Sequence, residues 1–179
     1  MLYVARHGQT IWNAENKVCG ITDVDLTELG MAQAKELADV VATKNVSLII
    51  SSPLKRAVET SKIVSEICNI PMETDERLIE QNYGIYEGVD RKNEDFLGNK
   101  RNFAFKYPGG ESMMQVAYRV YGLLDEIKDK YKDKYKDKNV LIISHGGVCR
   151  IINTYFIDMT NDDFFNYRLG NGELEKYEM

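Results

Sequence analysis

Three short apolar runs, each passing into a stretch with helical spacing, restrict this chain more than any other feature. Leu2–Ala5, Val46–Ile50 and Val140–Ile143 are nearly continuous rather than alternating, as strands covered on both faces are. Strand–helix alternation of this kind predicts an α/β fold: one domain with a mostly parallel central sheet flanked by helices on both faces. The chain's 179 residues suffice for one ordinary core, read here as a single domain over 1–179, with no need of disulfides or a structural metal.

The helices can be placed from their caps and stripes. Thr27 is a suitable N-cap for a helix Glu28–Thr43 with Leu29, Ala32, Ala34, Leu37, Val40 and Val41 inward. Ser52 followed by Pro53 reads as a cap and a first helical position. That helix runs to about Cys68, with Ala57, Val58, Ile63, Val64 and Ile67 inward. Gly147–Phe156 follows the third strand, and a helix from Ser112 carries Val116, Val120, Leu123, Leu124 and Ile127. Met72–Thr74 has the length and position of a fourth strand. The repeat Lys128–Lys138 holds six Lys and three Asp and reads as a solvated, ion-paired helix end rather than a docking patch, with Tyr131 and Tyr135 at i, i+4. Val89–Tyr107 lacks a period and mixes Phe96, Phe103, Phe105 and Tyr107 with Arg91, Lys92, Lys100, Arg101 and Lys106. A segment of that kind is expected to be an irregular loop capping a small ligand.

A formal net charge of −5 argues against general nucleic-acid binding, yet a small pocket can be positive inside an acidic protein. Three cysteines (Cys19, Cys68, Cys149) without CxxC spacing give neither a disulfide framework nor a zinc site and fit a reducing compartment. The first apolar run is too short for a leader, and none approaches a membrane span. A cytoplasmic protein without membrane or nucleic-acid partners is expected; its oligomeric state is left open.

The chemistry gathers at strand ends. The chain has two histidines, His7 after the first run and His145 after the third, each followed by glycine. Ligands of open parallel sheets bind at the carboxyl ends of strands. Two imidazoles there, beside Arg6, can serve phosphoryl transfer: one attacks phosphorus, while fixed positive charge holds the transition-state oxygens. Arg56, in the first turn after Ser52-Pro53, can join the anion-attracting end of that helix, and His145 can add a charged donor. The leaving alkoxide needs an acid; Glu80 is the candidate and Glu87 its competitor.

Arg6-His7-Gly8-Gln9-Thr10-Ile11-Trp12-Asn13 resembles the RHGxTxWN signature of the histidine phosphatase superfamily, the cofactor-dependent phosphoglycerate mutase-like proteins. Further similar segments follow in order: Gly20 and Asp23, Leu26–Gly30, Gln33-Ala34, Ser51–Ala57, Leu78–Glu80 with Gly84 and Glu87-Gly88, Pro108–Ser112, and Ser144–Gly147. Asp25, Lys17 and Cys19 depart from the usual residues around the first loop. The resemblance implies that His7 is phosphorylated while Arg6, Asn13, Arg56, His145 and the Gly146 amide hold the phosphoryl group. It implies that Glu80 gives a proton to the leaving group and later takes one from water, with no metal and no cofactor. Cys19 and Gly20 would stand at the rim of the phosphate pocket; beside such a cationic site a Cys19 thiolate would be favoured and its oxidation would hinder phosphate entry, the alternative being an inert thiol.

Mutases of the superfamily need large closing loops. Only 28 residues (81–108) separate Glu80 from Gly109, the chain ends soon after Asn171-Gly172, and Gly84–Gly88 is similar to the phosphatases' GxWEG. The expectation is therefore a phosphatase of small phosphorylated metabolites, similar to the α-ribazole phosphatase and broad-specificity acid phosphatase groups. The alternatives are mutase-type transfer, and a phosphohistidine protein phosphatase or phosphate-binding signalling module.

Overall fold

The computed structural model describes residues 1–133 and 138–179, the side chains of 131–133 apart. The Tyr131–Tyr135 pair of the lysine-rich repeat thus lies outside the described residues. In chain order the elements are β1 (Leu2–Arg6), α1 (Ile11–Ala14), α2 (Glu28–Val41), β2 (Val46–Ser51), α3 (Lys55–Cys68) and β3 (Met72–Thr74). There follow α4 (Glu94–Lys100), α5 (Met113–Asp133), β4 (Asn139–Ser144), α6 (Gly146–Phe156), α7 (Asn161–Asn166) and β5 (Leu174–Tyr177).

The strands form one sheet in the order β3-β2-β4-β1-β5. β4 runs parallel to both β1 and β2, and β3 runs parallel to β2; β5 lies antiparallel on the outer edge of β1. Strand geometry sends successive side chains to opposite faces, and the core divides accordingly. Leu2, Val4, Ile50, Val140 and Ile142 pack against α5 and α6 through Val116, Val120, Leu124, Ile151 and Ile152. Tyr3, Ala5, Ile49, Leu141 and Ile143 face α2 and α3 through Leu37, Ala38, Val41 and Val64. The predicted α/β architecture with helices on both faces is the one observed.

Three expectations are corrected. Leu29, Ala32 and Val40 sit on the solvent side of α2, whose buried residues are Gly30, Ala34, Leu37, Ala38 and Val41, and Ile67 of α3 is likewise exposed. Helix α3 begins at Lys55 with Leu54 as N-cap and no side-chain cap; the Ser52 hydroxyl meets His145 and accepts from Leu54 N–H ahead of the helix. The 89–107 segment is not irregular throughout: Asn93 caps α4, whose Phe96 is buried with Tyr107 and Val18 against Tyr83 and Tyr86 in a small separate cluster. The Phe96 and Tyr107 rings stack with centroids 5.9 Å apart. This cluster fastens the segment to the body of the molecule.

Candidate active site

Strand register brings the two histidines together. Arg6 and Ser144 are paired across β1 and β4, so the residues that follow them, His7 and His145, leave the sheet side by side. Their ring centroids are 5.1 Å apart. Helix α2 follows β1 on one face and α6 follows β4 on the other, which opens a crevice at that strand boundary.

The protonation of His7 follows from one contact. Its Nδ1 stands 2.7 Å from the carbonyl oxygen of Gly8; a carbonyl only accepts, so Nδ1 carries the hydrogen and Nε2 keeps its lone pair. Burial, then the charges of Arg56 and Arg6, hold the His7 pKa well below the usual histidine value. The Gly8 peptide is itself fixed, its N–H donating to Thr60 Oγ1 at 3.1 Å. A side chain on Gly8 would collide with the carbonyl oxygen of Gly30, so glycine lets the loop after β1 lie directly on α2.

His145 is arranged differently from the sequence expectation of a charged donor. Arg56 Nε donates to its Nδ1 at 3.1 Å, and its Nε2 lies 2.7 Å from Ser52 Oγ. A guanidinium only donates, so Nδ1 is the acceptor and Nε2–H points to the serine. Burial and Arg56 push its pKa well below the ordinary value. Arg56 is 1% exposed, and its terminal nitrogens donate to the carbonyls of Thr22 and Gly20. Both residues stand behind His7 rather than on the cavity wall. Arg56 makes no pair with Glu59, which faces Lys55 instead.

The cavity in front of His7 has an empty volume of about 730 Å³, open mouth included. Arg6, Asn13, Cys19, Glu80 and Gly146, all named from sequence, line it. The Arg6 guanidinium lies over Gly146 and donates to the Leu169 carbonyl at 3.1 Å, while its buried Nε has no partner. The Asn13 oxygen accepts from Thr10 N–H and from the Asn171 amide, which leaves the Asn13 amide hydrogens for a ligand. Glu80 accepts from Gln81 N–H and from Gly147 N–H, each at 2.9 Å. Its carboxyl group therefore rests on the N-terminal turn of α6, and any side chain at Gly147 would displace it.

Glu87 does not compete for the acid role. It accepts from the backbone of Gly20, Ile21, Thr22 and Tyr83 and from the Thr22 hydroxyl, and so clamps the loop that carries Gly20 and Cys19. Gly20 serves Arg56 through its carbonyl rather than forming the rim. Cys19 lines the cavity but is buried, its thiol turned to the Thr22 carbonyl. Burial raises its pKa more than Arg56 lowers it, which favours the inert thiol over the thiolate.

Four further cations line the cavity wall: Arg91 and Lys100, which the sequence placed in the expected cap, and Arg150 and Arg168, to which it gave no role. Arg150 could have been noticed, since an arginine amid Val148, Cys149, Ile151 and Ile152 interrupts an otherwise apolar turn and needs a reason to be buried. Burial, then Arg150, Arg168 and Arg91, brings the Lys100 pKa down to about 8. With Arg6 these side chains set five cations against the one carboxylate of Glu80, a chamber built for anions.

An α/β sheet with a paired-histidine, arginine-rich crevice at its strand ends defines a phosphoryl-handling class of protein. The profile of the histidine phosphatase superfamily (branch 1) matches residues 2–179. The chain belongs to that family. It is 34% identical over 152 residues to the probable phosphoglycerate mutase GpmB of Yersinia pestis (strain Pestoides F), covering 81% of this chain and 69% of that protein. A mycobacterial glucosyl-3-phosphoglycerate phosphatase superposes with a TM-score of 0.84 at 27% identity, covering 97% of this chain and 87% of the other. YhfR of Bacillus stearothermophilus superposes with a TM-score of 0.81 at 29% identity, covering 96% and 86%.

Proposed function

We propose that this protein is a phosphatase of small phosphate monoesters that works through a phosphohistidine at His7, without metal or cofactor. The observation carrying this reading is the His7 imidazole, its Nδ1–H fixed on Gly8 and its free Nε2 facing the cationic cavity. The neutral ring is the nucleophilic form, and burial keeps it so.

In the first step Nε2 forms a bond to phosphorus as the ester P–O bond breaks. Glu80, carrying a proton, gives it to the departing oxygen. Arg6, the Asn13 amide and the Gly146 N–H offer donors to the three equatorial oxygens. In the second step the Glu80 carboxylate takes a proton from water, the water oxygen attacks phosphorus and the N–P bond breaks, which returns neutral His7 and inorganic phosphate. Arg56 and His145 act from behind, holding the loop of Gly20–Thr22 and setting the field at His7. The segment 89–107 caps the site, which its cavity-lining Phe96 and Lys100 support.

Phosphatase neighbours on the same fold favour this reading, and one of them is described with VO3 bound. The curated relatives named as probable phosphoglycerate mutases favour a second one, transfer back to a bound intermediate. Phosphate release from a panel of monoesters in the presence of chelator separates the two. Hydrolysis without a bisphosphorylated primer, vanadate inhibition and an acid-labile phosphoenzyme absent from His7→Ala are expected. A strict need for primer would replace hydrolysis by mutase transfer, and no phospho-adduct in rapid-quench trapping would remove His7 as nucleophile.

A further inference from the structure

Residues 79–83 belong to no helix or strand, and Glu80 among them is buried. Backbone of that kind must find its hydrogen-bond partners elsewhere. Here two side chains supply them. Arg119 of α5 donates Nη1 to the Arg77 carbonyl at 2.6 Å and Nη2 to the Glu80 carbonyl at 3.3 Å. Glu111 holds the same guanidinium in a fork, accepting Nε–H at Oε1 and Nη2–H at Oε2, each at 3.2 Å. Its Oε2 also accepts from Asn82 N–H at 3.1 Å. The Glu111 backbone closes on the segment as well, its N–H donating to the Asn82 carbonyl and its carbonyl accepting from the Gln81 side-chain amide. Arg77, Glu80, Gln81 and Asn82 thus rest on one ion pair, and neither of its side chains lines the cavity.

As a device for stability the pair is weak: its side chains are 17% and 25% exposed, and an ion pair that open contributes little. Its geometry serves position instead. Val116, Val120 and Leu123 anchor α5 in the core, so Arg119 stands on a rigid base, and a planar fork fixes direction as well as distance. We propose that Arg119, locked by Glu111, is a positioning residue: it holds the Glu80 main chain at the place from which the carboxyl group reaches the departing oxygen. The proposal rests on the acid role of Glu80 in the phosphatase reading above and adds the group on which that role depends. A displacement of about 1 Å forfeits much of an acid's effect, and the loss falls on esters whose leaving oxygen needs a proton.

The test is the ratio of kcat/KM for 4-nitrophenyl phosphate to kcat/KM for an alkyl phosphate that the wild type hydrolyses. Both are read on one sample, so the folded fraction cancels. The steps covered end with departure of the alcohol, so hydrolysis of the phosphoenzyme does not enter. Arg119→Met is expected to raise the ratio about tenfold or more, a part of what a general acid supplies. Glu111→Gln, which keeps the volume of the side chain, should raise it in the same direction. Arg77→Gln, which removes ion pairs to Asp75 and Glu126 from the same stretch of chain, should leave it unchanged. Equal losses on both esters in Arg119→Met and Glu111→Gln, where Glu80→Gln does shift the ratio, overturn the proposal and leave the phosphatase reading standing. So does an equal shift in Arg77→Gln. A ratio unmoved by Glu80→Gln, or a wild type that hydrolyses neither ester, removes the acid role and the proposal together.

Discussion

In the proposed reaction three influences suit His7 to attack phosphorus: a carbonyl that fixes its tautomer, burial that disfavours its cation, and arginines that disfavour it further. The acid limb of kcat/KM, once the ionisation of the substrate phosphate near pH ~6 is divided out, should therefore fall well below pH 6.5. A limb at or above 6.5 would mean that the ring is protonated in the free enzyme. Glu80 is tested by leaving group. Glu80→Gln should slow alkyl phosphates about 10²-fold or more, and 4-nitrophenyl phosphate, whose leaving oxygen needs no proton, far less. Equal losses would take the acid role away from Glu80.

At the scale of elements, the loop after β1, the N-terminus of α6 and the Gly20–Thr22 loop each rest on a single group. Gly147→Ala should reproduce the leaving-group pattern of Glu80→Gln, since the new methyl group would occupy the carboxylate's place; hydrolysis of alkyl phosphates at the wild-type rate would contradict this. Glu87→Ala strips acceptors from four backbone amides and a hydroxyl. It should destabilise the fold by about 2–4 kcal/mol, measured by urea unfolding, and loosen Arg56 through Gly20. The same scale shows what the sequence made legible. Buried parallel strands announce themselves as apolar runs, and a histidine just past such a run is already near the crevice. β5 was missed because Leu-Glu-Lys-Tyr on a sheet edge has neither length nor continuity. In α2 the predicted stripe holds for Ala34, Leu37 and Val41 and fails for Leu29, Ala32 and Val40, because apolar residues on both sides of a helix leave the edges of the buried face ambiguous. The cavity cations came from four separate segments, and only folding brings such long side chains to one place.

Across the whole molecule the two buried imidazoles link stability to pH. Both have folded pKa values below the usual 6.5, so the unfolded chain binds protons that the native state refuses. Their contribution is complete above pH 6.5 and is lost as the pH falls below it, with a slope of up to about 1.4 kcal/mol per pH unit for each ring. Asp75 and Glu126, whose pKa values lie below the ordinary carboxylate range through Arg77 and Lys130, enter only at more acidic pH. Urea midpoints at pH 7.5 and 5.5 should show the loss, and a His7→Gln, His145→Gln double variant should flatten it. An unchanged slope in that variant would assign the dependence elsewhere.

The place of β4 between β1 and β2 has a consequence for how the chain is made. During synthesis the two early strands emerge long before the one that must separate them, and they have no sheet to share until it arrives. Pairing first and last segments carries the entropic cost of closing a long loop. A nascent chain arrested before residue 139 thus holds His7 with Arg6, Arg91 and Lys100 but without the second ring, Gly146 or the guanidinium groups of Arg150 and Arg168, and the proposed site is assembled only once β4 and the segments after it have been made.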